Sequence, residues 1–410
     1  MENNVTKRFV SDGHLIDSGI LPNILNIIIE EGAEYHISDF RIGKTNLETS
    51  HIEFDLVCHD DDQLSDLTKK LLRIGCYEKA VSESVLKPAP KDGAVPDDFY
   101  STTNHRTEIF LDGGWCEVAD QRMDGVIVLT PNGPAVRLLR QVRAGDRILC
   151  SPQSVRVFPA ERDRQTDIFG FMGGEVSSER SVDVAVAQIA EDLVEAKERN
   201  AKVVAVAGPV VVHTGGAAAL SALIREGFIH GLLAGNALAV HDIESVFFGT
   251  SLGVDLQTGR PTHEGHRNHI RAINRVRTRG SIAAAIACGD IDRGIMYEIV
   301  TKGVPFSLAG SIRDDGPLPE TEMDMIKAQK QYAEIVRGTS MVLMLSSMLH
   351  SIGTGNMLPS SVRTVCVDIN PAVVTKLADR GSSQALGIVS DVGFFLRALS
   401  ARLIPSLTHA

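Results

Sequence analysis

Two stretches in the C-terminal part of the chain carry residue types suited to holding a nucleotide. In MVLMLSSMLHSIGTGN, residues 341–356, an apolar run ends on Ser346-Ser347, and Met348, Leu349 and His350 begin the next turn. Backbone N–H groups at such a strand end can bind a diphosphate, helped by serine hydroxyls and a nearby helix start. Gly353 and Gly355 are expected to supply a tight turn beside it. In VCVDINPAVV, residues 365–374, the next apolar run stops at Asp368. An acid in that position can accept hydrogen bonds from both hydroxyls of an adenosine ribose. The alternative is that Asp368 merely caps the helix opened by Asn370-Pro371, which has proline at its first position and Gly381 as its stop. A third apolar run, residues 386–389, ends at Asp391-Val392, within reach of an adenine. The chain has no G-x-G-x-x-G, so the usual dinucleotide fingerprint is missing.

Three further stretches hold groups that could act on a substrate. AGPVVVHTGG, residues 207–216, reads as a strand, a Gly-rich turn and a helix that Thr214 can cap. His213 there either faces a ligand or is a satisfied loop histidine. In LLAGNALAVHDIE, residues 232–244, the strand ends at Gly235 and Asn236-Ala237 opens a helix, with His241 and Asp242 within two turns of its start. Asn236 is either an N-cap or a ligand to a nicotinamide ribose. In LAGSIRDDGPLPE, residues 308–320, Arg313 can bind a carboxylate bidentately. Asp314 and Asp315 are adjacent, so in an extended segment they point opposite ways and do not form a paired acid and base. Either one faces an ammonium and the other a ribose, or the pair is a solvated turn. His263, His266 and His269 are spaced His-x-x-His-x-x-His, which is not the H-E-x-x-H helix motif, and no metal is expected.

These residues need a scaffold. From residue 181 onward, helical patterns alternate with short apolar runs at 203–206, 229–233, 305–309, 341–345, 365–369 and 386–389. Such alternation predicts an α/β domain over residues 181–410, with a parallel sheet covered on both faces. Ligands of such sheets sit at the carboxyl ends of the strands, where the residues above fall. Residues 1–90 read as a ferredoxin-like α+β module in the order β-α-β-β-α. Residues 91–180 read as a β-rich segment, with turns at Asp112-Gly113-Gly114 and Pro131-Asn132-Gly133, followed by a mobile link over residues 163–180.

Composition narrows the classes. The chain has 410 residues, 43% hydrophobic and 23% charged, enough for a sizeable core, and a net charge of −11. A general nucleic-acid binder would show a basic face instead. The six cysteines form no C-x-x-C pair and read as reduced, buried thiols. The N-terminus has no apolar signal core, and no apolar run reaches the ~18 residues of a membrane span, so a cytoplasmic protein is expected.

GNALAVHDIE, AGSIRDDGPLPE, SSMLHSIGTGN and VCVDINPAVVTKLADRG together resemble the LOR/SDH conserved-region family. That family includes archaeal-type ornithine cyclodeaminases and the C-terminal part of cyanobacterial arginine dihydrolase/ornithine cyclodeaminase proteins. The resemblance covers essentially the whole chain. It implies a C-terminal NAD domain folded like deoxyhypusine synthase, which would account for the missing fingerprint. It also implies NAD contacts at Asn236, Ala237, Asp315, Ser347, Met348, Leu349, His350, Asp368, Asp391 and Val392. The strand-end reading reaches Ser347, Asp368 and Asp391 independently and leaves Asn236 and Asp315 open.

The implied activity is NAD-dependent conversion of L-ornithine to L-proline and ammonia by transient hydride transfer. A saccharopine-type amino-acid dehydrogenase and an NAD- or amino-acid-sensing regulator are the alternatives. The charge of the candidates suggests Arg313 for the α-carboxylate, Asp242 or Asp314 for an amine, and His241 or His213 for proton shuttling. The chain begins at the α+β module, so no arginine dihydrolase activity is expected. A homo-oligomer is expected by analogy with deoxyhypusine-synthase-like folds.

Overall fold

The computed structural model describes residues 4–16, 18–45, 48–159, 182–262, 265–314, 316–379 and 385–404. The expected mobile link and the stop at Gly381 lie outside these residues. Chain contacts divide the molecule into two units, Met1–Glu175 with Leu358–Ser361, and Val176–Met357 with Val362–Ala410.

In the first unit, period-two alternation gives β1 (Val5–Gly13), β2 (Glu34–Arg41), β3 (Ser50–Cys58) and a short β4 (Cys76–Glu78). They form an antiparallel sheet in the order β2-β3-β1-β4. Helices α1 (Ile20–Glu30) and α2 (Asp61–Arg73) carry apolar stripes, and Ile24, Ile28, Leu67 and Leu71 cluster with Phe9, Ile52, Phe54 and Leu56. Burying each of these is worth roughly 1.5–3 kcal/mol. The α2 stripe starts where it does because Asp60 caps the helix, its side chain accepting from Gln63 N.

The β-rich segment follows as β5 (Leu86–Pro88), β6 (Arg106–Leu111), β7 (Gly114–Glu117), β8 (Val126–Thr130), β9 (Gly133–Arg137), β10 (Arg147–Leu149) and β11 (Val155–Phe158). These make two small sheets of antiparallel neighbours, β5-β10-β8-β9 and β11-β6-β7.

The second unit is wound around one parallel sheet. Its strands are β12 (Lys202–Ala207), β13 (Gly231–Gly235), β16 (Phe306–Ala309), β17 (Thr321–Glu322), β18 (Thr339–Leu345), β19 (Arg363–Asp368) and β20 (Ala385–Val389), with a hairpin of β14 (Thr250–Ser251) and β15 (Val254–Asp255) outside it. The helices are α3 (Val182–Glu198), α4 (Val210–His213), α5 (Ala217–Arg225), α6 (Asn236–Phe248), α7 (Asn268–Arg279), α8 (Ile282–Ala287), α9 (Ile295–Thr301), α10 (Met325–Val336), α11 (Met348–Gly355), α12 (Pro371–Asp379) and α13 (Val392–Leu403).

The sheet order is β17-β16-β13-β12-β18-β19-β20, with every neighbouring pair parallel. The order runs outward from β12 in one direction and from β18 in the other. The topological switch therefore falls between these two strands, where a doubly wound fold opens its ligand crevice. From Val203 to Ala207 every side chain is buried, as a strand covered on both faces requires.

Two local expectations are corrected. Gly353 and Gly355 lie inside α11 and not in a tight turn, and neither takes a positive φ. Thr214 caps no helix start. Its hydroxyl donates back to Val210 O within the short α4, and α5 begins at Ala217 after Gly216.

Candidate active site

The switch point is built from close backbone approach. Gly208 N donates to Leu345 O at 2.9 Å, tying the turn after β12 to the end of β18. A Cβ on Gly208 would lie 2.0 Å from Ser346 O, so only glycine fits. Ser346 takes φ 47°, a left-handed conformation rare outside glycine. Ser347 then precedes α11 without a side-chain cap, which leaves the first-turn N–H groups open to an anion. Met348 and Leu349 around this helix start are exposed.

Asp368 ends the neighbouring strand with little exposure, and its Oδ1 accepts from Asn370 N at 2.8 Å. The cap of α12 is Asn370, which accepts from Ala372 N at 3.0 Å. Asp368 is thus not the cap, and its Oδ2 has no partner among the described residues. Asp391 caps α13 by accepting from Phe394 N at 2.7 Å. The Val392 side chain is buried, so Val392 can offer a ligand only its backbone. A helix start without a cap beside a carboxylate with one free oxygen fits the diphosphate and ribose of NAD.

His350, in the first turn of α11, is fixed from behind. Tyr332 of α10 donates its single hydroxyl proton to Ala234 O at 2.7 Å. The same hydroxyl lies 3.0 Å from His350 Nδ1 and can then only accept, so Nδ1 carries the ring proton and Nε2 is left as an acceptor. Nε2 faces the β13 turn, where a Cβ on Gly235 would lie 2.9 Å away. Burial holds the His350 imidazolium below its ordinary range.

Asn236 is not an N-cap, and three of the four hydrogen-bonding positions of its side-chain amide are taken. Its amide nitrogen donates to Asp314 Oδ1 at 2.8 Å, and its Oδ1 accepts from Leu318 N at 3.1 Å and Thr321 Oγ1 at 3.0 Å. It latches the loop after β16 to the end of β13. Asp314 is spent on the same loop, since its Oδ2 accepts from Ser311 N at 2.7 Å and Ser311 Oγ at 3.0 Å. An amine-holding role for Asp314 is therefore corrected to loop fastening. Ala237 and Arg313 are exposed, and the Arg313 guanidinium has no partner among the described residues. Asp315 lies outside the described residues.

Asp242 is also reassigned. It is 1% exposed, and its two oxygens accept from Ile295 N at 2.9 Å and Met296 N at 2.8 Å. It neutralises the start of α9, and Gly294 passes so close that a Cβ would meet Asp242 Oδ2 at 2.9 Å. Burial pushes its pKa up to about 6, against the pull of the two backbone donors. No face of this carboxylate is left for a substrate amine.

His241 points into a different arrangement. Its Nδ1 lies 2.9 Å from Oε2 of Glu244, a fully buried acid that also accepts from Thr250 Oγ1 at 2.8 Å, Leu252 N at 3.2 Å and Gly253 N at 3.0 Å. Burial pushes the Glu244 carboxyl up, but these donors outweigh it and hold the group below its ordinary value. Glu244 therefore stays ionised and orients the His241 ring. His213 packs edge-on against His241 at 4.8 Å and bonds Ser251 Oγ at 2.6 Å. Burial first, then His241, lowers the His213 pKa to about 4, so it is a neutral, partnered histidine. His269 lies 6.4 Å from His241, ring to ring. His263 and the His266 side chain lie outside the described residues.

The structure thus assembles two groups on the carboxyl edge of one sheet. Ser347, Met348, Leu349, His350, Asp368 and Asp391 follow β18 to β20. His213, His241 and Glu244 follow β12 and β13. Glu244 and Tyr332 escape a reading of the sequence. The run H-D-I-E places Glu244 one helical turn after His241, the only hint of the first. Nothing near Tyr332 in sequence hints at the second.

Comparisons with known proteins place both groups within one family match. Residues 187–399 match a family described as arginine dihydrolase ArgZ-like, C-terminal, Rossmann fold. Residues 7–105 match the LOR/SDH bifunctional enzyme conserved region, and residues 106–186 the ArgZ-like C-terminal first region. The chain is 47% identical over 399 residues to the ornithine cyclodeaminase of Methanocaldococcus jannaschii, an overlap of 95% of this chain and 94% of that one. It is 46% identical over 401 residues to the bifunctional arginine dihydrolase/ornithine cyclodeaminase AgrE of Nostoc sp., covering 96% of this chain but 57% of that one. The solved ternary complex of AgrE with ornithine and NAD⁺ matches at TM-score 0.54 and 43% identity, over 99% of this chain and 59% of that one. The chain therefore spans little more than half the length of its bifunctional relatives.

Proposed function

The chain belongs to the ArgZ-like C-terminal family with the LOR/SDH conserved region, and from that premise we propose that it is an NAD-dependent ornithine cyclodeaminase. One observation carries the reading. The sheet edge offers a dinucleotide a helix start and a free acid on one side of the switch, and a buried histidine–carboxylate pair on the other.

The reaction converts L-ornithine to L-proline and releases one ammonium, with no net oxidation. NAD, when bound, supplies the hydride acceptor and donor that such a redox-neutral cyclisation needs. The chain's own residues bind and move protons. The N–H groups from Ser347 to His350 receive the diphosphate, and Asp368 Oδ2 receives the adenosine ribose. Asp391 and Val392 border the adenine through their backbone. Asn236 acts by fastening the loop that carries Arg313, which is free to take the α-carboxylate. His241, oriented by Glu244, takes a proton from the α-ammonium and returns one to the departing ammonia.

Finer readings accompany this one. The β2-β3-β1-β4 sheet with two helices supports a ferredoxin-like module. The missing G-x-G-x-x-G supports deoxyhypusine synthase as the fold likeness. A homo-oligomer working in the cytoplasm on a small amino acid completes the proposal. Among the described residues no helix is long and apolar enough to cross a membrane.

The test is to incubate the protein with L-ornithine and catalytic NAD⁺. Equal amounts of proline and ammonia without net NADH are expected. NADH accumulating in proportion to substrate would replace the reading with an amino-acid dehydrogenase.

A further inference from the structure

A second polar cluster lies wholly within the first unit and takes no part in the site above. Residues 102–105 and 121–125 run side by side. Thr102 N donates to Gly125 O at 3.0 Å, Asp124 N to Thr102 O at 3.3 Å, and Thr102 Oγ1 to Arg122 O at 2.7 Å. The Gln121 amide nitrogen donates to Thr103 O. Thr102, Thr103 and Asn104 are buried, while His105, Gln121 and Arg122 are partly buried and lead to the surface.

Three atoms here are buried and have no hydrogen-bond partner among the described residues. They are Arg122 Nε, Gln121 Oε1 and His105 Nδ1. A fold rarely leaves one such atom unpaired, and three on two adjoining segments call for an occupant. Their chemistry defines it. Arg122 forms no ion pair among the described residues and presents a donor fork that matches a carboxylate, with the positive charge of Arg140 and the negative charge of Asp124 both near enough to act on it. Gln121 Oε1 is an acceptor. Burial keeps the His105 ring neutral, so one of its nitrogens accepts as well. Donors beside acceptors at this scale match a ligand with an anion and an ammonium on adjoining atoms.

We propose that Arg122, Gln121 and His105 form a binding site for the carboxylate and ammonium of a free α-amino acid. The ligand is the substrate itself or another amino acid acting as an effector. Only the choice of L-ornithine as a probe rests on the cyclodeaminase reading.

The test titrates the purified full-length protein calorimetrically with L-ornithine, L-proline and L-arginine separately, without NAD. At least one should bind, and Arg122→Gln should weaken it by more than tenfold. Arg122→Lys, which keeps the charge and loses the fork, should weaken it less and covers the case in which the first variant folds poorly. If ornithine binding weakens and its KM rises with kcat kept, the site serves the substrate. If proline or arginine binding weakens with the ornithine KM unchanged, it serves an effector. Either result supports the site even where ornithine turnover fails. No binding, or binding unchanged in both variants, means ordered water alone fills the cluster and overturns the proposal.

Discussion

The Tyr332 hydroxyl stands 3.0 Å from His350 Nδ1, and because its proton goes to Ala234 O it fixes which nitrogen of His350 can accept. Tyr332→Phe removes that constraint and takes the side-chain bond from Ala234 O, which keeps its place in the parallel β13–β16 ladder. A lost buried hydrogen bond of this kind costs about 0.5–1.5 kcal/mol. Nitrogen NMR of His350 should show one tautomer in the parent and a mixture in the variant, and NAD affinity should fall by about fivefold, or 1 kcal/mol. A single unchanged tautomer in the variant would refute the assignment.

Asp368 makes a prediction of a different kind, because only one of its oxygens is engaged. Asp368→Ala removes the acceptor for the ribose hydroxyls and also the bond to Asn370 N. NAD affinity measured by calorimetry should fall more than tenfold, since a charge-assisted hydrogen bond is worth about 1.5–3 kcal/mol. The conservative Asp368→Asn keeps an acceptor for Asn370 N and should still lose most of the affinity. Unchanged affinity in both variants would remove Asp368 from the nucleotide site.

Asp242 and His213 pull the pH dependence of stability in opposite directions. The Asp242 pKa is raised from 3.8 to about 6 on folding, so the native state holds an extra proton between these values and stability falls as pH rises. The His213 pKa is lowered from 6.5 to about 4, so there the unfolded state holds the extra proton and stability rises with pH. Each slope is at most about 1.4 kcal/mol per pH unit. Urea midpoints measured from pH 4 to 6.5 should therefore rise more steeply with pH in Asp242→Asn and turn downward in His213→Asn. Asp242→Asn should also lose about 1–3 kcal/mol of stability while its folded fraction keeps kcat within a few-fold. A collapse of kcat in well-folded Asp242→Asn would restore a direct catalytic role to this carboxylate.

The parts of this site that are legible in the sequence are those set by local pattern. Short apolar runs separated by helical periods place the strand ends, and with them Ser347 and Asp368. What stays hidden is decided by partners distant in sequence. Asn236 looks like a cap or a ligand, yet three of its amide's four hydrogen-bonding positions are taken by Asp314, Leu318 and Thr321, about eighty residues on. Asp242 has the type and position of a catalytic acid until α9 brings two backbone N–H groups to it. Gly353 and Gly355 have the composition of a turn, but helix propensity is a weak prior and tertiary context overrides it within α11.

Glu244 is the residue on which the chemistry and the local fold most directly meet. It holds the His241 ring at 2.9 Å and anchors the turn at Leu252 and Gly253 through their backbone N–H groups. A neutral amide in its place can accept from only one of those two N–H groups and cannot stabilise a cationic ring. Glu244→Gln should therefore lower kcat by about 100-fold, the usual worth of a positioned acid–base group. KM for ornithine and the affinity for NAD should stay within a few-fold, because neither ligand is held by Glu244. Glu244→Asp keeps the charge on a shorter stem and should recover part of kcat. A merely structural carboxylate would give the opposite pattern, with thermal stability and NAD binding falling together and Asp no better than Gln.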